Sequence, residues 1–215
     1  MAETALRALR LDEVWLLVSP GNPLKPRAGM APFAHRLASA RRIADGRRIL
    51  ASDWEARKGT RYTVDTLAAL RRHFPRASFV LLLGADNLAQ LPRWRRWTEL
   101  ARRTPIAVFP RPGWTFRALA GQAARRLARH RRRPAALMDL AEAAATADGG
   151  VAAQHAPWAF VPAAENRESS TAIRRATAES GKASNKDDPR PPPAARRCGA
   201  RVSERPGTEG PRGST

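Results

Sequence analysis

The sequence predicts an α/β fold in which helices cover both faces of a parallel sheet. Two observations support this prediction. Short apolar runs such as EVWLLV, SFVLLL and IAVF alternate along the chain with segments of helical periodicity. Continuous apolar runs are typical of strands buried on both faces, and such strands belong to parallel sheets. Open sheets of this type bind ligands beyond the carboxyl ends of their strands.

Four segments have the composition of buried strands. The run SFVLLL has the strongest strand character, and EVWLLV ends at the loop signal SPGNP. The predicted strands are Glu13–Val18, Arg48–Ser52, Ser78–Leu83 and Ile106–Phe109.

The helices follow from apolar residues at intervals of three and four. In one segment these are Val64, Leu67, Leu70 and Phe74, and Thr63 stands where a helix N-cap is expected. The predicted helices are Ala2–Leu9, Pro32–Ala44, Thr63–Phe74, Phe116–Arg132, Ala135–Ala145 and Ser170–Glu179.

The chain is strongly basic, with a formal net charge of +20 over 215 residues. Such a charge attracts polyanions, including nucleotides and nucleic acid. Arginine is spread over the whole chain, so we attribute the excess mainly to compositional bias and do not expect nucleic acid as the partner. The single cysteine, Cys198, excludes a disulfide framework and fits a cytoplasmic protein. No run approaches the ~18 apolar residues of a membrane span, so no membrane partner is expected.

The composition changes at about Gly181. Residues 1–180 are predicted to form one domain, whereas residues 181–215 are rich in Pro, Gly, Arg and Ser with almost no apolar periodicity. Such a segment buries too little surface to offset its chain entropy, so we expect a disordered tail. A basic tethering tail and a non-native extension both remain open as explanations.

Polar loops follow the predicted strands. Gly84 directly follows SFVLLL and would let a ligand approach the backbone, and Asp86 could accept hydrogen bonds from ribose hydroxyls. A simple turn with Asp86 as helix cap is the alternative. Five loops lie at or near strand carboxyl ends and four of them carry Arg or Lys, which favours a shared polyanionic ligand.

Two tryptophans, Trp94 and Trp97, stand three residues apart among arginines. On one helix they would share a face, either as part of the core or as an aromatic plate for a flat ring beside an anionic group. A second candidate binding segment, Ser169-Ser170-Thr171, begins a predicted helix and is followed by Arg174, an arrangement that suits a phosphate or an ordinary cap.

The histidines point to no catalytic site. His35, His73, His130 and His155 are far apart in the sequence, and none forms a close pair suited to one metal or one phosphate. We therefore predict neither a metal site nor a catalytic acid–base pair made of these residues.

In order and spacing, four stretches resemble bacterial nicotinate-nucleotide adenylyltransferases. They are SPGNPLK, DWEARKGTRYTVDTL, FVLLLGADNLAQLPRWRRWTELARRTPIAVFPRPG and ESSTAIRRA, and together they span roughly Met1 to Ala178. The resemblance implies a Rossmann-like nucleotidyltransferase domain. It also implies adenylyl transfer from ATP to nicotinate mononucleotide, helped by Mg²⁺, giving deamido-NAD and pyrophosphate in NAD biosynthesis.

The resemblance also implies roles for individual residues. Gly84 and Asp86 would face the adenosine ribose, while Ser169, Ser170 and Arg174 would hold the ATP triphosphate. The residues implied for the nicotinate mononucleotide are Tyr62, Thr63, Trp94 and Arg95 around the ring and its carboxylate, and Arg111 and Lys25 near phosphate.

This sequence departs from the family pattern in two respects. The family begins with a strand and an HxGH motif whose histidines steady the ATP phosphates, and neither is found in this sequence. We therefore expect that Met1 is an internal methionine and that the natural product is longer, which the mass of the native protein would test. The second departure is Glu168, which directly precedes Ser169-Ser170-Thr171 at a position where the family usually has an apolar residue. Two alternatives follow: an inactive nucleotide-binding member, or an Arg-rich nucleic-acid-binding protein whose binding falls steeply with salt.

Overall fold

Five strands form two parallel sheets in the computed structural model, which describes residues 1–21, 30–140 and 156–164. In the first sheet β1 (Val14–Leu17) pairs with β2 (Ile49–Ser52). In the second, β4 (Ile106–Phe109) lies between β3 (Leu81–Gly84) and β5 (Trp158–Phe160). Every strand pairing is parallel, as the continuous apolar runs predicted.

Short helices connect these strands. The described α-helices are α1 (Ala2–Ala8), α2 (Phe33–Ile43), α3 (Trp54–Lys58), α4 (Thr63–His73), α5 (Ala85–Gln90), α6 (Trp97–Arg103), α7 (Thr115–Leu119) and α8 (Gln122–Arg126). Residues 136–140 are also helical, and 3-10 turns occupy Leu91–Arg93 and Ala128–His130. None of the described helices is long and apolar enough to span a lipid bilayer.

Successive strand side chains point to opposite faces, so the core has two parts. Ile106 and Val108 of β4 belong to a cluster that includes buried residues of α4, α5, α6 and α8. Ala107 and Phe109 of the same strand belong to a second cluster with the buried face of α1 and Leu137. The strand is therefore covered on both faces, which confirms the predicted layer arrangement.

The long helix predicted over Phe116–Arg132 is wrong. The structure has α7, then α8, then a 3-10 turn in this region. Gly121 separates the two helices with an extended backbone (φ −76°, ψ 169°), and its N–H bonds to the Ala118 carbonyl at 3.1 Å. A helix cannot continue through an extended residue, so the apolar periodicity spans a break that the glycine marks.

Helices α3, α5 and α6 and strand β5 were not predicted, and the start of β3 and the cap of α4 differ from the prediction. Helix α3 has five residues and β5 has three, which is too short for a periodic signal. Strand β3 begins at Leu81 rather than Ser78. The N-cap of α4 is Tyr62, so Thr63 is its first helical residue and not its cap. The predicted helix Ser170–Glu179 and the tail lie outside the described residues.

Candidate active site

The first turn of α5 and the loop after β4 meet around a glycine. Gly84 ends β3 and directly precedes α5. A Cβ atom built at Gly84 would lie 2.4 Å from Asp86 Oδ1 and 3.0 Å from Arg111 Nε. Real Cβ atoms do not approach other atoms as closely as 2.4 Å, so a side chain here would displace the Asp86 carboxylate. The glycine therefore lets Asp86 and Arg111 converge on the end of β3.

The Asp86 carboxylate has an oxygen in need of a hydrogen-bond donor. Oδ1 is buried, and the described part of the chain offers it no hydrogen bond. Arg111 Nε lies 3.8 Å from this oxygen, which is an ion-pair distance but too long for a hydrogen bond. Because a buried carboxylate oxygen without a donor costs free energy, a bound hydroxyl group would stabilise this arrangement.

Arg111 is positioned by the loop that follows β4. Its backbone N–H donates to Thr115 Oγ1 at 3.2 Å, and the Thr115 hydroxyl lies 3.2 Å from the Arg111 carbonyl oxygen. This turn directs the Arg111 side chain back toward the end of β3. Asp86 and Arg111, which carry opposite charges, thus connect two of the polar segments that the sequence predicted as ligand-binding loops.

A second group of predicted residues lies where α4 begins. The Arg95 guanidinium lies over the Tyr62 ring, 4.6 Å from its centroid. Thr63 is the first residue of α4 and is half-buried, and Trp94 packs against the same core cluster as Tyr62. An aromatic ring and an exposed cation therefore stand at one helix N-terminus, and Trp94 directly precedes that cation in the chain. Such a set suits a flat ring that carries a negative charge.

Trp94 and Trp97 do not lie on one helix, the condition under which they were expected to share a face. Trp94 follows a 3-10 turn with extended backbone (φ −80°, ψ 145°), and Trp97 begins α6. Between them Arg96 adopts the left-handed conformation (φ 50°, ψ 40°). The chain therefore changes direction between the two rings, and Trp97 instead lies beneath the Arg126 guanidinium, 5.8 Å from its ring centroid.

Asp65 and Arg96 form an ion pair that the sequence did not indicate. The Arg96 guanidinium contacts Asp65 Oδ1 on the first turn of α4, and it also lies 3.5 Å from Glu99 Oε2 on α6. The two partners are 31 residues apart. Opposite charges at such a separation carry no local sequence signal, so only the fold shows that they meet.

A buried polar network supports the loop in front of α4. Glu55 is 9% exposed and Thr66 is 1% exposed. The Thr66 hydroxyl has three acceptors within reach: Glu55 Oε1 at 3.2 Å, Thr60 Oγ1 at 3.0 Å and the Tyr62 carbonyl at 3.2 Å. Residues 60–62 are thus tied to both α3 and α4. This network was not predicted from the sequence, because Glu55 lies on a helix too short to be predicted.

The loop after β1 is anchored by an arginine of α2. Arg36 donates to the carbonyl oxygens of Ser19 at 2.6 Å, Pro20 at 3.2 Å and Ala31 at 3.1 Å. Arg36 therefore contacts residues before and after Lys25 in the sequence. Lys25 itself lies outside the described residues, as do Ser169, Ser170 and Arg174.

The described residues contain no group of three or more His, Cys, Asp or Glu side chains placed to bind a metal ion. His73 packs edge-on against Trp54, with ring centroids 4.9 Å apart. His35 is exposed on α2. These two histidines are therefore placed as packing and surface residues.

The cytidylyltransferase-like family matches residues 1–176 of the chain. The chain belongs to this family. A relative from Gluconobacter oxydans, named “Probable nicotinate-nucleotide adenylyltransferase”, is 55% identical over 175 residues, covering 81% of this chain and 84% of that protein. Relatives of the same name from Gluconacetobacter diazotrophicus and Cereibacter sphaeroides are 52% and 49% identical, covering 81% and 79% of this chain and 76% and 84% of those proteins. The resemblance to nicotinate-nucleotide adenylyltransferases is confirmed, and with it the α/β nucleotidyltransferase fold of this cytidylyltransferase-like chain.

Proposed function

We propose that this chain transfers the adenylyl group of ATP to nicotinate mononucleotide in NAD biosynthesis. The proposal is supported by the curated relatives that carry this activity in their name at 43–62% identity. In this reaction a phosphate oxygen of the mononucleotide bonds to the α-phosphorus of ATP. The bond between that phosphorus and the bridging oxygen breaks, and pyrophosphate leaves with the electron pair. No oxidation or reduction takes place.

The observation that carries the assignment of the ATP end is the unsatisfied oxygen of Asp86. A ribose hydroxyl donates a hydrogen bond of the kind that Oδ1 lacks. Gly84 leaves room for that hydroxyl beside the backbone, because it has no side chain. Arg111, next to Asp86, would then face the phosphate side of the substrates, where its charge stabilises an anion.

The residues at the start of α4 are proposed to bind the nicotinate mononucleotide. Trp94 supplies an aromatic face for stacking, and Tyr62 and Thr63 border the same helix N-terminus, where free N–H groups favour a carboxylate. Arg95 is exposed above Tyr62 and supplies a cation for that carboxylate. The neutral amide of a nicotinamide ring would gain less from this cation.

The phosphate-binding residues are proposed from the sequence. Ser169, Ser170 and Arg174 would hold the ATP triphosphate, and Lys25 would lie near a phosphate of the mononucleotide. ATP would enter as its Mg²⁺ complex. The described residues offer no carboxylate cluster, so phosphate oxygens and water would supply most ligands of the ion. A cytoplasmic location is likewise proposed, supported by the single cysteine of the sequence.

Pyrophosphate release by the purified chain with ATP, Mg²⁺ and nicotinate mononucleotide tests the proposal. We expect release that depends on the mononucleotide and that falls about 10- to 100-fold in kcat/KM for ATP in Asp86→Ala, because a hydrogen bond to a charged group contributes about 1.5–3 kcal/mol. ATP binding without pyrophosphate release would instead favour an inactive nucleotide-binding member. Salt-steep binding to DNA or RNA, without ATP binding, would favour the nucleic-acid alternative.

A further inference from the structure

The turn that carries Trp94 and Arg95 is held in an unusual conformation. Arg96 is one of two non-glycine residues with positive φ in the described part of the chain, at φ 50°. This region is unfavourable for residues with a Cβ atom and persists where surrounding contacts over-determine it. The Arg96 conformation sets the direction in which Trp94 and Arg95 leave the turn. Whatever fixes Arg96 therefore also fixes the residues proposed to bind nicotinate.

The side chain of Arg96 is anchored to two helices. Its guanidinium contacts Asp65 on the first turn of α4 and lies 3.5 Å from Glu99 on the first turn of α6. Arg95, the neighbouring residue, lies over Tyr62, the N-cap of α4. Two consecutive arginines thus contact the same end of α4, one through an ion pair and one through an aromatic ring. The turn and the helix N-terminus are joined at both points.

We propose that Asp65 and Arg96 form an ionic clasp that holds the turn carrying Trp94 and Arg95 against the N-terminus of α4, and so sets the affinity for the nicotinate mononucleotide. Both clasp residues are positioning residues and have no assigned contact with a substrate. The proposal rests on the proposed function. It extends that function by assigning roles to two residues that the resemblance did not indicate.

The exposure of the pair allows the clasp to be separated from a general effect on stability. The Arg96 and Asp65 side chains are 47% and 37% exposed. Ion pairs with this exposure contribute little to the stability of the whole fold. Loss of the clasp should therefore leave the unfolding temperature within about 3 °C of the wild type, because a change of 1 kcal/mol shifts it by about 2–4 °C at this chain length. Its effect should instead appear in ligand affinity.

The test measures the Kd for nicotinate mononucleotide by calorimetry, and the KM for each substrate, in the full 215-residue chain. The variants are Asp65→Asn, Arg96→Gln and their double combination. We expect each single change to weaken mononucleotide binding about fivefold, in the range of coupling between residues in contact. The double variant should be no weaker than the single ones, since the same interaction is lost once. The KM for ATP should stay within about twofold, and Arg96→Lys, which keeps the charge, should restore most of the affinity.

Arg103→Gln is the matched control. It removes another exposed ion pair of α6, 3.7 Å between Arg103 Nε on the last turn and Glu99 Oε1, while leaving Glu99 in place beside Arg96. We expect it to leave mononucleotide affinity unchanged. Additive losses in the double variant, an equal rise in the KM for ATP, or tighter binding in Asp65→Asn would each overturn the clasp while the proposed function stands. Failure of the wild-type chain to bind the mononucleotide at all would overturn both.

Discussion

Replacing Gly84 by alanine is the change that most directly tests the geometry of the ATP end. Gly84 has φ −73° and ψ 156°, an extended conformation that alanine adopts without strain. The effect of the new methyl group is therefore steric. It would lie 2.4 Å from Asp86 Oδ1, so this oxygen would have to move by about 1 Å to reach an ordinary contact of 3.4 Å. Arg111, at 3.0 Å and 3.1 Å from the same methyl position, would also be displaced.

The functional cost should exceed the cost to folding. Adding a methylene-sized group to a packed site costs about 1–3 kcal/mol, and the reduced freedom of the unfolded chain returns about 0.4–1 kcal/mol. The displaced atoms belong to side chains and not to the backbone, which places the expected loss of stability near the lower end of this range. A displacement of 1 Å in a binding group can cost about 100-fold in rate. We therefore expect kcat/KM for ATP to fall about 10- to 100-fold.

Gly121→Ala provides a control with nearly the same backbone conformation. Gly121 has φ −76° and ψ 169°. A methyl group added there would lie 3.0 Å from the Ala118 carbonyl oxygen and 3.3 Å from the Arg117 carbonyl oxygen. Backbone oxygens yield less readily than side-chain ends, so this variant should lose stability while keeping its KM for ATP. Steady-state kinetics and thermal unfolding measure the two effects. An ATP KM within twofold of the wild type in Gly84→Ala would refute the assignment of Gly84 and Asp86 to the nucleotide.

Three further changes address other parts of the molecule. Trp94→Ala should weaken nicotinate mononucleotide binding by about 1–3 kcal/mol in calorimetry, the value of stacking on a flat ring, and unchanged affinity would remove Trp94 from the site. Thr66→Val should lower the free energy of unfolding in urea by about 1–3 kcal/mol, because it removes a hydroxyl that reaches the buried Glu55, whereas Thr66→Ser should retain most of the stability. The N–H groups of Ile49 and Arg47 hold the pKa of Asp45 below its usual value of 3.8, so ionised Asp45 stabilises the fold above about pH 4. Asp45→Ala should therefore be less stable than the wild type at pH 7, with a difference that shrinks as the pH falls through the lowered pKa; a difference independent of pH would contradict this.

The fold class could be predicted because it depends on burial, which leaves a strong trace in the sequence. Each residue of β4 is buried, with one pair of side chains in each core cluster, so the strand has to be apolar throughout. Helix α4 was predicted equally well, because Val64, Leu67 and Leu70 bury one face over 11 residues. Both β4 and α4 were predicted correctly, because the structure that their local sequence pattern favours is also the one that their tertiary contacts stabilise.

The errors occur where local pattern and tertiary structure differ. β5 has only Trp158, Ala159 and Phe160, and it is a strand because β4 offers it a hydrogen-bonding edge. The break at Gly121 has a local signal in the glycine itself, but the apolar periodicity continues on both sides of it and favours a single helix. The two errors differ in length. The three residues of β5 are too few to show a periodic pattern. In the seventeen-residue segment Phe116–Arg132 the periodic pattern outweighs the single glycine that ends the helix.

The candidate site was predicted in its residue types but not in its internal connections. Glycine, aspartate and arginine after apolar strands indicated a polyanion site, and the structure brings Gly84, Asp86 and Arg111 into contact. The turn at Arg96 shows what the sequence could not supply. An arginine has no intrinsic preference for positive φ, so no local rule places a chain reversal between Trp94 and Trp97. In the structure the packing of α4 against α6 brings Asp65, 31 residues away, alongside Arg96 at this turn. The direction of Trp94 is thus a property of the tertiary structure, and if Trp94 stacks on the substrate ring as proposed, substrate affinity should respond to residues that never touch the substrate.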